Sequence, residues 1–203
     1  MKKVVICNIP LKEKVDAIQY PINDNKEFNV EKEIVFPINA LLSNTAEKSD
    51  DIEVILLAKE TEDKFVEKNI ELYKNELSSF NIEAKVDYKL IVTPFVEDKK
   101  TNDYLLEKII NSVDDDSEIY CDVTYGPKSL PIIMFAALRF LEKNCGCAVN
   151  NIVYGKVDFS KDGMKNPEIC DLMSLYYLNL INEKMDFKSS KQAKDSLHLL
   201  LDI

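Results

Sequence analysis

The sequence predicts an α/β protein built on a mainly parallel, doubly wound sheet with flanking helices. Two observations predict this class. Apolar runs of strand length recur along the chain, and helix-like segments of ten or more residues separate most of them. Strands and helices that alternate in this way form βαβ units with right-handed crossovers, which places the strands side by side in a Rossmann-like sheet. The 203 residues, 46% hydrophobic and 31% charged, are sufficient to bury a full core.

The first half of the chain contains three predicted strands. Residues 3–8 form a short apolar strand, and a polar stretch separates it from a helix predicted over 31–43. Residues 52–58 are almost all apolar, as expected of a strand that is buried on both faces. A charged amphipathic helix is predicted over 60–80, and a third strand over 84–92.

The second half continues the alternation. A helix is predicted over 103–113, and a strand over 118–123 in which apolar and polar residues alternate. An apolar helix over 130–143 follows, then a strand over 148–159 and a last core helix over 172–182. We therefore expect one domain over residues 1–183. Residues 184–203 are expected to form a C-terminal extension or the start of a linker, with a short helix at the leucine-rich end.

The most informative segment joins the strand at 118–123 to the helix that follows it. A strand that ends at a glycine and re-enters as a helix leaves the first backbone N–H groups pointing into the loop, where phosphate fits. Lys128 adds a positive charge, and the hydroxyls of Thr124 and Ser129 add hydrogen-bonding groups. The alternative is that Ser129 only caps the helix and Gly126 only makes the turn. Because ligands bind beyond the carboxyl ends of strands where the strand order reverses, we expect Asn8 and Thr124 to share one crevice.

Composition excludes several classes of function. The net charge of −10 argues against binding of long DNA or RNA, which needs a broad basic face. No run reaches about 18 apolar residues and no export segment opens the chain, so we expect a cytoplasmic protein without a membrane partner. The five cysteines are odd in number and are expected to be reduced thiols. The pair Cys145 and Cys147 has no second pair beside it, and we expect no metal and no cofactor.

Known nucleotide and hydrolase motifs are also missing. The chain has only four glycines, and no G-x-G-x-x-G follows the first strand. A P-loop would need a further glycine upstream of Gly126. Ser-His-Asp catalysis would have to use His198, near the C-terminal end.

The run from Asp122 to Pro131, Asp-Val-Thr-Tyr-Gly-Pro-Lys-Ser-Leu-Pro, resembles a family signature. It is similar to the Asp-Ile-Thr-His-Gly-Phe-Arg-Ser-Leu-Pro sequence of CRISPR-associated proteins with a CARF domain, the sensors of cyclic oligoadenylates. Apart from Val123, an aliphatic residue like the Ile of the signature, three positions depart from it: Tyr125 stands for His, Pro127 for Phe and Lys128 for Arg. The likeness covers about residues 1 to 180, and its other matching stretches are residues 1–8, 32–42, 52–59, 152–155 and 167–175.

The resemblance implies a domain that binds a cyclic oligoadenylate, with cyclic tetraadenylate as the favoured ring. It implies a homodimer, because a ring with internal twofold symmetry suits two identical loops that meet on an axis. The ligand-binding residues are then expected to be Asn8, Ile9, Pro10, Thr124, Tyr125, Gly126, Pro127, Lys128 and Ser129.

Two alternatives remain open. The first is a metal-independent ring nuclease that cleaves the cyclic oligoadenylate, with Lys128 and Asn8 as its catalytic residues. The second is a small-molecule enzyme on the same fold, because fold does not decide function. Relatives in this family often carry an effector module, but the pairing of Arg with a nearby His that a HEPN ribonuclease needs is absent here. A fused or associated effector therefore stays an expectation without a candidate.

Overall fold

A computed structural model describes residues 2–160, 163–184 and 187–201. It confirms the α/β class: six strands form one sheet in the order β3-β2-β1-β4-β5-β6, and six α-helices accompany it. The strands are β1 (Lys2–Asn8), β2 (Asp51–Lys59), β3 (Lys85–Thr93), β4 (Glu118–Asp122), β5 (Ala148–Ser160) and β6 (Gly163–Asp171). The helices are α1 (Pro37–Thr45), α2 (Phe65–Ser78), α3 (Lys99–Ser112), α4 (Ser129–Asn144), α5 (Met173–Lys184) and α6 (Ser190–Leu201).

The first five strands are parallel, and only β6 runs antiparallel to its neighbour β5. In the central strand β1, Val5 and Cys7 belong to a core cluster that includes residues of α1 and α2. Val4 and Ile6 point to the opposite face, because side chains alternate along a strand, and they are equally buried. A strand covered on both faces explains why the sequence of β1 and β2 is almost continuously apolar.

The chain divides into two compact units, Met1–Leu172 and Met173–Ile203. The first unit contains the sheet and α1 to α4, and the second contains α5 and α6. The predicted division at residue 183 stays a prediction, and residues 185–186 and 202–203 of the predicted extension lie outside the described residues. Within the described residues, no helix combines the length and the apolar character needed to cross a bilayer.

The prediction for the start of α1 was wrong by six residues. Residues 31–36 are not helical: Ile34 forms an antiparallel bridge with Ile18, and Phe36 is extended. The helix begins at Pro37, because proline is favoured at the first helical position and the residue before a proline avoids the helical region. Glu76 of α2 accepts hydrogen bonds from the N–H groups of Val35 (2.6 Å) and Phe36 (3.0 Å), which fixes this start.

The C-terminal part contains a strand outside the predicted elements and a longer last helix. No element is predicted over 163–171, where β6 has a polar sequence that contains Pro167. Proline is tolerated on an edge strand, and β6 is the last strand of the sheet. The last helix was expected only over 197–201, but α6 begins at Ser190, where the Ser189 hydroxyl accepts a hydrogen bond from the Gln192 N–H (3.2 Å).

Candidate functional site

The strand order reverses between β1 and β4, and the carboxyl ends of these two strands open into one crevice. The chain proceeds from β1 outward to β2 and β3, then returns to place β4 on the other side of β1. Cys7 of β1 lies opposite Asp122 of β4, so Asn8 and Val123 leave the sheet side by side. Ligands of doubly wound sheets bind at such a switch point.

Asp122, at the end of β4, accepts hydrogen bonds from two segments that border the crevice. One carboxylate oxygen accepts a hydrogen bond from the Thr124 N–H (2.8 Å), and the other from the Ile38 N–H in the first turn of α1 (3.1 Å). The side chain is fully buried, and this burial raises its pKa from 3.8 to about 6, against the opposing effect of the hydrogen bonds from Thr124 and Ile38. Asp122 therefore ties the loop after β4 to the start of α1.

Thr124 continues this connection to β5. Its hydroxyl oxygen accepts a hydrogen bond from the Gly155 N–H (2.8 Å). A Cβ atom at Gly155 would lie 2.6 Å from Cγ of Pro37 and 2.7 Å from the hydroxyl oxygen of Tyr20, so only glycine allows this close approach. The Thr124 hydroxyl, which the sequence assigns to ligand binding, thus fixes the loop.

Tyr125 points towards the protein interior. Its hydroxyl donates a hydrogen bond to the Val35 carbonyl (2.8 Å), and its ring meets that of Phe36 edge-on at 5.8 Å. Burial raises the pKa of the phenol. In this conformation the ring packs against the segment that enters α1 rather than offering a free stacking face.

Asn8 lies behind the same loop. It is 1% exposed, and its side-chain N–H donates to the Tyr125 carbonyl (2.9 Å). Its side-chain oxygen is buried and has no hydrogen-bond partner in the described part of the chain. Asn8 holds the loop in position, and its role in catalysis stays a prediction.

Ile9 and Pro10 carry the chain out of β1. Ile9 is buried, and its N–H donates to the Leu57 carbonyl at 2.9 Å. The Pro10 carbonyl accepts a hydrogen bond from the side chain of Asn69 (2.8 Å), which also donates to the Lys12 carbonyl (2.9 Å). Helix α2 therefore fixes the outer wall of the crevice.

The turn into α4 has fewer backbone donors than the sequence suggested. Gly126 adopts φ +101°, a backbone conformation that favours glycine. Lys128 is the N-cap residue of α4, and its side chain makes no capping hydrogen bond to the helix. Pro127 and Pro131 have no N–H group, and the Leu130 N–H already donates to the Pro127 carbonyl at 3.0 Å. The N–H groups of Lys128 and Ser129 have no acceptor among the described residues. Lys128 is exposed and forms no ion pair with any described residue.

Ser129 does not cap α4. Its hydroxyl donates to a carboxylate oxygen of Glu97, in the segment between β3 and α3. The other oxygen of Glu97 lies 3.6 Å from the ammonium of Lys59, the last residue of β2. Sequence reasoning did not select Glu97 or Lys59, although a lysine that closes a buried apolar strand at the carboxyl edge of the sheet could have indicated the latter.

Two cavities flank the loop. One of about 350 Å³ is lined by Leu11, Phe95 and, among the predicted residues, Pro10 and Thr124 to Pro127. The other, of about 200 Å³, lies on the β5 side, where Lys14 and Tyr154 join Thr124 and Tyr125. Phe95 is 62% exposed and Tyr154 38% exposed, so each cavity has an aromatic ring with an accessible face. Sequence reasoning did not select either ring.

Cys145 and Cys147 lie at the opposite edge of the sheet, just before β5 begins. The Cys145 carbonyl accepts a hydrogen bond from the Asp116 N–H at 2.9 Å. In the part of the chain that the structure describes, no three His, Cys, Asp or Glu side chains are grouped as a metal site would require.

The fold and the crevice define a doubly wound α/β protein with a basic loop at its switch point. No family model matches the chain. A stretch of 75 residues is 28% identical to part of the CRISPR-associated protein MJ1674 of Methanocaldococcus jannaschii. The match covers 37% of this chain but only 12% of that protein, so it shows similarity to one segment of a much longer chain.

Proposed function

We propose that this protein is a cytoplasmic, CRISPR-associated sensor that binds a cyclic oligoadenylate, with cyclic tetraadenylate as the favoured ring. The observation that carries the proposal is the loop from Thr124 to Ser129 at the switch point, with the Lys128 ammonium exposed above it. The resemblance of this loop to the CARF signature and the similarity to a CRISPR-associated protein both support it.

Three features of the crevice support the binding of an adenylate, one each for its phosphate, its base and its ribose. The exposed ammonium of Lys128 can bind phosphate oxygens, and so can the N–H groups of Lys128 and Ser129, which have no acceptor among the described residues. The rings of Phe95 and Tyr154 can stack on adenine bases on either side of the loop. The cavities beside the loop can take the riboses. The hydrogen bonds of Asp122 and Asn8 hold the loop in place, which reduces the entropy cost of ordering it on binding.

The binding site is proposed to lie on the axis of a homodimer. One protomer offers a single lysine in this loop, which is little charge for a ring that has several phosphates. Two loops related by a twofold axis double the charge and match the symmetry of the ring.

A second candidate function is cleavage of the ring without a metal. The 2′-oxygen of one ribose would attack the adjacent phosphorus, the bond from phosphorus to the 5′-oxygen would break, and the proton would pass from the 2′-oxygen to the 5′-oxygen. Lys128 would stabilise the charge that develops on the phosphate. The observation that favours this candidate is the exposed ammonium of Lys128, which no described side chain neutralises.

Thermal unfolding with a panel of nucleotides tests the proposal. Cyclic tetraadenylate should raise the melting temperature by mass action, whereas NAD, ATP and linear tetraadenylate should not. Equal stabilisation by linear adenylates, or none by any cyclic oligoadenylate, would refute binding. Separation of the products after incubation with labelled ring distinguishes the sensor, which returns the intact ring, from the nuclease, which returns linear products.

A further inference from the structure

A third, smaller cavity lies beside the loop from Thr124 to Ser129, on the β2–β3 side. Most of its lining is apolar, and Lys59 and Thr93 supply its polar side chains beside Gly126 and Pro127 of the loop. Lys59 is the last residue of β2, Thr93 is the last residue of β3, and the two are paired across the sheet. They therefore open onto the same edge as Asn8 and Asp122.

Both polar side chains of this cavity lack a close partner among the described residues. The Lys59 side chain is 5% exposed, and its nearest carboxylate in the described part of the chain is Glu97 at 3.6 Å, beyond good hydrogen-bonding distance. Thr93 is 1% exposed, and its hydroxyl has no hydrogen-bond partner in the same part of the chain. A buried hydroxyl without a partner is costly, and a buried ammonium gains little from a carboxylate at 3.6 Å, unless a closer anion completes the bonding of both groups.

Glu97 occupies the position where an anion that pairs with Lys59 and Ser129 would lie. Its carboxylate bridges the Lys59 ammonium and the Ser129 hydroxyl at the start of α4. Its side chain is 43% exposed and belongs to the segment between β3 and α3, so it can turn outward without disturbing the core. A carboxylate between a cation and a helix N-terminus resembles a phosphate in charge and in acceptor geometry.

We propose that Lys59, Thr93 and Ser129 form a second phosphate subsite of the ligand site, and that Glu97 fills this subsite until a phosphate displaces it. The inference rests on the proposed function for the identity of the ligand, but not for the binding of phosphate. The free cavity of about 10 Å³ has room for about one water molecule, and Glu97 is not part of its lining. A phosphate therefore reaches the Lys59 ammonium only when the Glu97 carboxylate turns away from it.

The proposal makes opposite predictions for the two charged residues. Lys59→Gln should weaken binding of cyclic tetraadenylate by about 10- to 100-fold, the range for removal of one charge-assisted hydrogen bond. Glu97→Gln should strengthen it several-fold, because the competing carboxylate is gone. Combined with Lys59→Gln, the Glu97 substitution should give no gain. The matched control is Glu83→Gln, which removes the same charge from an exposed ion pair with Lys48 and should leave binding unchanged.

Calorimetry and melting curves of these variants, with cyclic tetraadenylate and separately with inorganic phosphate, provide the test. A Lys59→Gln variant with a lower melting temperature but unchanged affinity for both ligands would show that the pair only stabilises the fold, and would overturn the subsite. Weaker binding by Glu97→Gln would overturn the displacement. If the wild type binds no ring but phosphate stabilises Glu97→Gln and not Lys59→Gln, the proposed function fails while the subsite stands. If neither ligand distinguishes the variants, the subsite fails by itself.

Discussion

Each polar side chain at the switch point either holds the loop or remains available to a ligand. Asp122, Thr124, Asn8 and Tyr125 bond to the protein itself and fix the path of the chain. Lys128 is exposed and forms no ion pair with any described side chain. Because these four residues position the loop, substitution of Lys128 should weaken ligand binding without changing the stability of the fold.

Lys128→Ala should weaken binding of cyclic tetraadenylate by about 1.5 to 3 kcal/mol for each charge-assisted hydrogen bond that the ammonium makes to a phosphate. The melting temperature of the free protein should not change, because truncation of an exposed side chain leaves the core intact. Calorimetry measures the first effect, and thermal unfolding the second. Lys143→Ala, which removes an exposed lysine from the last turn of the same helix, is the control and should bind normally. Unchanged binding by Lys128→Ala would rule out the loop as the ligand site.

The buried carboxyl of Asp122 should make stability depend on pH. Its pKa is about 6 in the folded protein, raised by burial, against 3.8 as the ordinary value. Between these two values the folded state retains a proton that the unfolded state has released, so the stabilisation is full below about pH 4 and is lost as the pH rises through 6. Relative to Asp122→Asn, the wild type should therefore lose about 3 kcal/mol of unfolding free energy between pH 4 and pH 7.

Urea unfolding of both proteins across this range measures the difference. The comparison is needed because burial also raises the pKa of Glu76, which contributes to the wild-type profile in the same direction. Two stability profiles that stay parallel from pH 4 to pH 7 would contradict the assigned pKa of Asp122.

The sequence allowed the position of the loop residues to be predicted, but not what they bond to. The pattern of strand, glycine and helix placed Lys128 and Gly126 at a turn, because local chemistry determines turns. The partner of Ser129 could not be found in this way, since Glu97 lies 32 positions earlier and only the assembly of β3, β2, β1 and β4 into one sheet brings the two residues near. Pro127 and Pro131 have no N–H group, so the turn has fewer donors than the pattern of strand, glycine and helix predicts.

Among the elements, β5 has a close approach at Gly155, which passes the start of α1 and the loop after β4. Gly155→Ala should lower the unfolding free energy by about 1 to 3 kcal/mol, because the new methyl group would overlap Pro37 and Tyr20. It should also loosen the loop, since the Gly155 N–H bonds to Thr124. Chemical denaturation measures the decrease. Lys156→Ala, at the next position in an exposed ion pair with Glu168, should change stability by less than about 0.5 kcal/mol. Equal stability of the two variants would contradict the close packing.

Elements with strong apolar periodicity were predicted well, and elements determined by tertiary contacts were not. The predicted strand at 52–58 and the observed β2 (Asp51–Lys59) differ by one residue at each end, because a strand buried on both faces is apolar throughout. Strand β6 was missed, since its residues are mostly exposed and pairing with β5 alone makes it a strand. The charged residues at 31–33 resembled a first helical turn, but the bridge between Ile18 and Ile34 keeps this segment extended.

For the whole molecule, the net charge of −10 repels an anionic ligand, so binding requires a local attraction that exceeds this repulsion. An acidic protein repels long nucleic acids but can still bind a compact anion where helix N-termini and lysines make the potential locally positive. In the proposed site, one protomer would contribute Lys128 and, by our inference, Lys59. A symmetric pair of protomers would double both and place them around a common axis.

Calorimetry should therefore give one cyclic tetraadenylate for every two chains. The physical reason is that each loop can neutralise only part of the ring, so binding of a second ring to the same dimer would bring like charges together without new cations. Mixed dimers of the wild type and Lys128→Ala should bind with intermediate affinity, because one of their two loops retains its lysine. A stoichiometry of one ring per chain, or mixed dimers that contain only wild-type and fully defective sites, would show that each protomer binds its own ligand and would contradict a site on the axis.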